Sequence, residues 1–202
     1  MKYHKIILTS IIPLLIFLFC FRLYIFNQDF YQEESAKSSN AFENQDLILN
    51  NLFNFIQYGI ELNPDYFTEQ DILHMQDVRH LIWNAVFILT ILFLIFIVFV
   101  SILLLKGRIY LLGNSFLIGS SISFGLAIIL LILSFAMFPA LFRWFHLILF
   151  DNNLWLMPNS STLIKLFSMS IFYDMSKKIL LNVIYLSLFI FGLGLGTKFV
   201  KE

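Results

Sequence analysis

The sequence predicts an all-α integral membrane protein, with four transmembrane helices and an extracytoplasmic helical cap. Three observations predict it. Of 202 residues, 59% are hydrophobic and 13% charged, whereas a soluble domain carries about a quarter charged residues. Four apolar stretches are each long enough to cross about 30 Å of hydrocarbon as a helix. Lysines or arginines stand before the first stretch, between the second and third, and after the fourth. So few charges cannot clothe a water-facing surface, which excludes a water-soluble globular enzyme; the chain reads as a single membrane domain over 1–202. Thirteen basic residues balance thirteen acidic ones, so nothing in the overall charge favours a nucleic acid partner. The single cysteine, Cys20, rules out internal disulfides, CxxC redox chemistry and a cysteine-rich metal site.

The first span, about 6–26, is broken only by Arg22. Lys2 and Lys5 before it would suit a secretory leader. No A-x-A-like site follows, however, and the residues downstream are bulky, which points to an uncleaved anchor. The second span, 81–105, has 25 residues without a charge. The third lies inside the uncharged tract 109–142, too long for one simple crossing, with its lipid core near 117–138. The fourth, 179–197, reads ILLNVIYLSLFIFGLGLGT, and its Gly192 and Gly196 have the spacing of a helix-packing face.

Charge sets the orientation. Lys2 and Lys5 precede span one, Lys106 and Arg108 lie between spans two and three, and Lys198 and Lys201 follow span four. By the positive-inside rule these places are cytoplasmic. Both termini are then inside, and the large connectors, about 27–80 and 143–178, are outside. The first connector carries ten acidic residues against Lys37 and Arg79. Since the cytoplasmic side is minimal, activity is expected at the outer face of a cell membrane.

Within the first connector, 31–40 is polar and reads as a flexible lead-in. From 45 to 60, Leu49, Leu52, Phe53, Ile56 and Ile60 recur at helical spacing and predict an amphipathic helix. It either packs on the spans or lies as a lid at the lipid surface. After Pro64, Thr68 followed by Asp71 resembles a capping box, so a helix is expected to start near Glu69 and feed into span two. In the second connector, Phe142, Trp144, Phe145 and Trp155 suit the headgroup belt, and 163–172 reads as a further interfacial segment.

Chemistry narrows quickly. There is no HExxH, GxSxG or Walker loop, and no ligand spacing points to a metal or other cofactor. Histidine remains. His4 sits in the basic N-terminal region, while His74, His80 and His146 fall on the outer connectors close to the spans. A neutral imidazole is the natural general base near neutral pH. Spacing alone leaves open whether these are ordinary interfacial histidines. It also leaves open a non-enzymatic membrane scaffold or subunit, and an interfacial lipase or acyltransferase acting on other lipids.

The segments EQDILHMQDVRHL (69–81) and FHLILFDNNLWLMP (145–158) carry H-M-x-D-V-R before span two and F-H-x-x-x-F-x-N-x-x-W after span three. Together with the span count and the large first outer connector, they resemble the bacterial lipoprotein intramolecular transacylase family, four-span enzymes that make lyso-form lipoproteins. The resemblance implies that His74 and His146 are the catalytic pair. Where the family usually has a glutamate three positions before the first histidine, this chain departs from it with Asp71, and Glu69 is nearby. It implies as substrate a membrane lipoprotein whose N-terminal cysteine bears a diacylglyceryl thioether and a free amine. The sn-2 acyl chain would move to that amine, with no cofactor and no second lipid. Asp71 or Asp77 would fix the imidazole of His74. Arg79, Arg143, Asn152 and Asn153 would supply oxyanion or headgroup contacts, and Trp155 with the 45–60 helix would close over the acyl chains. Cys20, apolar in its surroundings, would be structural.

Overall fold

The computed structural model describes residues 2–36 and 43–197. Lys37, Lys198 and Lys201 lie outside the described residues, as does the latter part of the 31–40 segment. The elements are α1 (Lys2–Ile25), α2 (Gln28–Ala36), α3 (Gln45–Tyr58), α4 (Glu69–Leu105), α5 (Ile109–Leu149), α6 (Thr162–Leu166) and α7 (Met169–Gly196). Of these, α1, α4, α5 and α7 are long and apolar enough to cross a membrane. With backbone groups satisfied internally, helices of this kind are what a bilayer admits. The chain is an all-α, membrane-integral protein.

Two compact units divide the chain. One gathers the described residues up to Arg22, Ala85–Leu133 and the described residues from Lys177 onward. Its core packs Ile12, Ile16 and Cys20 of α1 with Ala127 of α5 and Leu180 and Val183 of α7, and Leu8 with Leu103 and Leu112. Close approach sets its geometry. A Cβ on Gly119 would stand 2.8 Å from Ile12, and one on Gly194 would stand 2.9 Å from the Gly113 carbonyl oxygen. Gly192 and Gly196, expected as the packing face, have open space around them; the glycine between them makes the contact instead. Serines on α5 return their hydroxyls to carbonyls one turn back, as Ser115 does to Leu111 and Ser123 to Gly119. This satisfies polar groups inside an apolar bundle.

The second unit comprises the described residues of Leu23–Asn84 and Ser134–Ser176. The polar stretch at 28–36 is helical rather than a flexible lead-in as far as Ala36. Asn27 accepts the Phe30 amide at the start of α2, and Phe30 and Tyr31 are buried against Leu49, Phe53 and Ile171. The expected amphipathic helix ends at Tyr58 because Gly59 turns left-handed (φ 77°) and its N–H closes on Phe55. Ile60 is therefore exposed. The apolar stripe of α3 faces protein: Ile48, Leu52, Phe55 and Ile56 pack with Met75 and Ile82 of α4 and Leu163 and Leu166 of α6. Leu163, Leu166 and Ile171 are thus core residues and not part of an interfacial surface.

Two features position His74 and His146. The reciprocal Thr68–Asp71 capping box forms: the Thr68 N–H donates to Asp71 (3.0 Å) and the Asp71 N–H to the Thr68 hydroxyl (3.2 Å). It starts α4 one turn before His74. On α5, Met137 leaves helical geometry just before Pro139, whose ring cannot continue the hydrogen-bond ladder. The long uncharged tract is therefore a kinked helix. His146 lies on its final turns rather than on an irregular connector.

Candidate active site

His74 and His146 come together within the second unit. Their ring centroids are 6.3 Å apart and the rings are inclined by 24°. Both are buried. Phe150 lies against both, 5.2 Å from His74 and 5.6 Å from His146. Phe142 stands 4.3 Å and Trp155 5.0 Å from His146. Phe142, His146 and Phe150 share one face because they are four residues apart. An aromatic box thus surrounds two imidazoles drawn from helices 72 residues apart in sequence.

The two rings differ in their hydrogen bonds. His146 Nδ1 lies 2.7 Å from the Phe142 carbonyl oxygen. A carbonyl can only accept, so Nδ1 carries the hydrogen, and in the neutral ring Nε2 keeps its lone pair. His74 Nδ1 is buried with no partner among the described residues. His74 precedes the uncharged residues 81–105, and His146 follows the uncharged tract 109–142. Burial first, and then the neighbouring His146 ring, hold His74 well below the ordinary imidazole range, at about 4, with Asp77 and Asp71 opposing. Burial lowers His146 as well, against the bond to Phe142, which raises it. Both rings are therefore neutral at pH 7, and one has a defined basic nitrogen.

The supporting residues sort into distinct places. Asp71 is completely buried and bonds not to histidine but to the Thr68 amide and the Ser161 hydroxyl (2.5 Å). Ser161 in turn caps α6 by accepting the Leu163 N–H. Asp77 accepts from Asn152 Nδ2 at 2.8 Å, and Asn152 Oδ1 takes the Leu154 N–H. Arg79 donates Nε to the Phe55 carbonyl at 2.9 Å, fastening the end of α3. Arg143 and Asn153 are exposed. Among the described residues, no three of histidine, cysteine, aspartate and glutamate gather to hold a metal ion. Ser161 and Gln70 escape sequence reasoning, since their partners lie more than 80 residues away.

His80, also a histidine of the first connector, is exposed, whereas His74 and His146 are buried. Its replacement by alanine is expected to change activity by no more than about two-fold, as for an exposed surface position. Loss equal to that of the buried pair, measured by initial rates, would reassign the histidine.

The sequence matches the family model described as "Lipoprotein intramolecular transacylase Lit" over residues 3–172. The structure is similar to the membrane integral lipoprotein intramolecular transacylase Lit from Bacillus cereus, with TM-score 0.85 and 16% identity, covering 98% of this chain and 95% of that one. Two forms of the same Bacillus cereus protein, with a histidine changed to alanine or to arginine, give TM-scores of 0.79 and 0.77, each at 16% identity. The alignments cover 98% of this chain and 93% and 91% of those. None of the curated proteins compared matches the chain.

Proposed function

Because the chain belongs to the lipoprotein intramolecular transacylase family, a family of acyltransferases, we propose that it moves the sn-2 acyl chain of a diacylglyceryl lipoprotein to the amine of the same molecule's N-terminal cysteine. The observation that carries this reading is the buried pair of neutral imidazoles at 6.3 Å. The histidines lie toward the ends of α4 and α5 remote from the turn containing Lys106 and Arg108. By the positive-inside rule that turn is cytoplasmic and the pair faces outward, with both termini inside. The lipoprotein and the surrounding lipid are the only partners this chemistry needs.

The ammonium, ordinarily titrating near pH 8, first releases one proton. The free amine then attacks the ester carbonyl; a C–N bond forms and the carbonyl electron pair moves onto oxygen. His146 Nε2 takes the second amine proton as general base. The carbonyl re-forms, the ester C–O bond breaks, and the imidazolium returns that proton to the departing glycerol oxygen. His74 stacks beside the ring and orients the reacting groups. Nucleophile and electrophile in one molecule gain the advantage of proximity, and the aromatic box keeps water from the ester. No covalent acyl-enzyme is needed. Cys20, the sole thiol, is buried among Ile12, Ile16, Leu180 and Val183 in the first unit.

Mass separates this reaction from its rivals. Intramolecular transfer leaves the substrate mass unchanged while moving an acyl group; a lipase lowers it by a fatty acid; exchange between lipids alters two species. Purified protein in bilayers with a synthetic diacylglyceryl lipopeptide is expected to give an isobaric product that fragments as an N-acyl cysteine, and Cys20→Ser to give the same yield. Fatty acid release, or acyl positions unchanged by the protein, would overturn the reading.

A further inference from the structure

We propose that the indole N–H of Trp155 donates the hydrogen bond that holds the oxyanion formed at the ester carbonyl; this rests on the acyl-transfer reading above. Acyl transfer through a tetrahedral intermediate needs a donor where charge develops. The arginines and asparagines that the sequence offers are engaged or turned outward. Arg79 holds Phe55, Asn152 holds Asp77, and Arg143 and Asn153 are exposed. Trp155 Nε1, by contrast, is buried and meets no partner among the described residues. An indole nitrogen can only donate, and buried donors without acceptors are rare in folded proteins. The ring lies 5.0 Å from that of His146. A substrate whose amine meets His146 brings its ester into the same cluster.

The segment carrying Trp155 is built to hold still. Gln70 Nε2 donates to the carbonyls on either side of it, Leu154 at 3.0 Å and Leu156 at 3.1 Å. Asn152 fastens the preceding turn to Asp77. Gln70 and Asp77 both belong to α4, which carries His74, so the donor and the first histidine share one scaffold. Preorganisation of this kind makes an oxyanion donor effective, because nothing need reorient as charge develops. During the step the indole keeps its proton; it binds the oxygen more tightly as the carbonyl pair moves onto it, and releases it as the carbonyl re-forms. The other tryptophans are different: Trp83 Nε1 donates to the Ile56 carbonyl at 2.9 Å, and Trp144 is exposed.

The test uses the full-length protein in bilayers with the synthetic diacylglyceryl lipopeptide, comparing Trp155→Phe with a chain bearing benzothienylalanine at 155. The latter keeps the bicyclic shape and puts sulfur where the N–H stood. Both are expected to lose about 100-fold in kcat, as for a removed oxyanion donor, with KM within about two-fold because the interaction belongs to the transition state. Trp144→Phe is expected to match wild type. If benzothienylalanine sustains full kcat, the N–H is not the donor, even where Trp155→Phe fails through packing. His146→Asn in the same preparation separates the readings. Its loss beside an active benzothienylalanine protein sinks only the donor role, whereas full activity in His146→Asn sinks histidine-dependent transfer itself.

Discussion

His146→Asn is expected to fold, to insert and to lose acyl transfer by about a thousand-fold, within the range for removing a general acid–base group. Asparagine keeps a nitrogen donor where imidazole has Nδ1, so the bond to the Phe142 carbonyl can persist; the basic nitrogen is gone. His146→Gln, which places its amide nearer the Nε2 position, is expected to be equally inactive, since an amide cannot shuttle a proton at neutral pH. His74→Ala is expected to lower kcat strongly as well, because it empties the space stacked against His146. Nitrogen NMR of the labelled protein checks the premise: His146 is expected as the neutral, Nδ1-protonated tautomer at pH 7. Burial lowers both imidazole pKa values, so the neutral form persists on acidification until the pH falls below the ordinary value of about 6.5. A His146 ring charged at pH 7, or a His146→Asn protein that still transfers, would remove the basis of the mechanism.

Spacing places His74, His80 and His146 alike beside the uncharged tracts, and only the two motifs that carry the family resemblance single out His74 and His146. The uncharged tracts that mark α4 and α5 are read locally. The α3 stripe is similarly local, repeating at Leu49, Leu52, Phe53 and Ile56. Other features depend on what lies opposite a residue, which periodicity does not record. The sequence at 28–36 is polar enough to pass for a linker; only the buried Phe30 and Tyr31, packed on Phe53 and Ile171, explain its helix. Gly192 and Gly196 have the spacing of a packing motif. Yet the approach to Gly113 falls on Gly194, because the rotation of α7 decides which glycine faces α5. The acidic residue before His74 invites a reading as its partner, since three residues is helical spacing, yet its oxygens go to Thr68 and Ser161.

Asp71 therefore supports a second, opposite prediction: its loss should damage the fold, and its amide should not damage the chemistry. Its carboxylate links the N-termini of α4 and α6, where negative charge complements the helix dipoles. It accepts the Thr68 amide and the Ser161 hydroxyl while Ser161 accepts from Leu163. Asp71→Ala strands two buried donors and removes a cap, a loss of about 3 kcal/mol. For a chain of this size that corresponds to a fall of about 10 °C in Tm, measurable by thermal unfolding in detergent or bilayers. Asp71→Asn behaves differently. Its oxygen can still take the Thr68 amide, and its amide can donate to Ser161, whose hydroxyl has lone pairs to accept both that bond and the Leu163 amide. The expected cost is about 1 kcal/mol, from the lost charge at the helix ends, with kcat near wild type once the protein is folded. A carboxylate that instead steered the His74 imidazole through the reaction would give the reverse pattern, a stable Asp71→Asn protein with kcat collapsed. The two substitutions thus assign the aspartate to architecture or to catalysis from one pair of melting curves and one pair of rates.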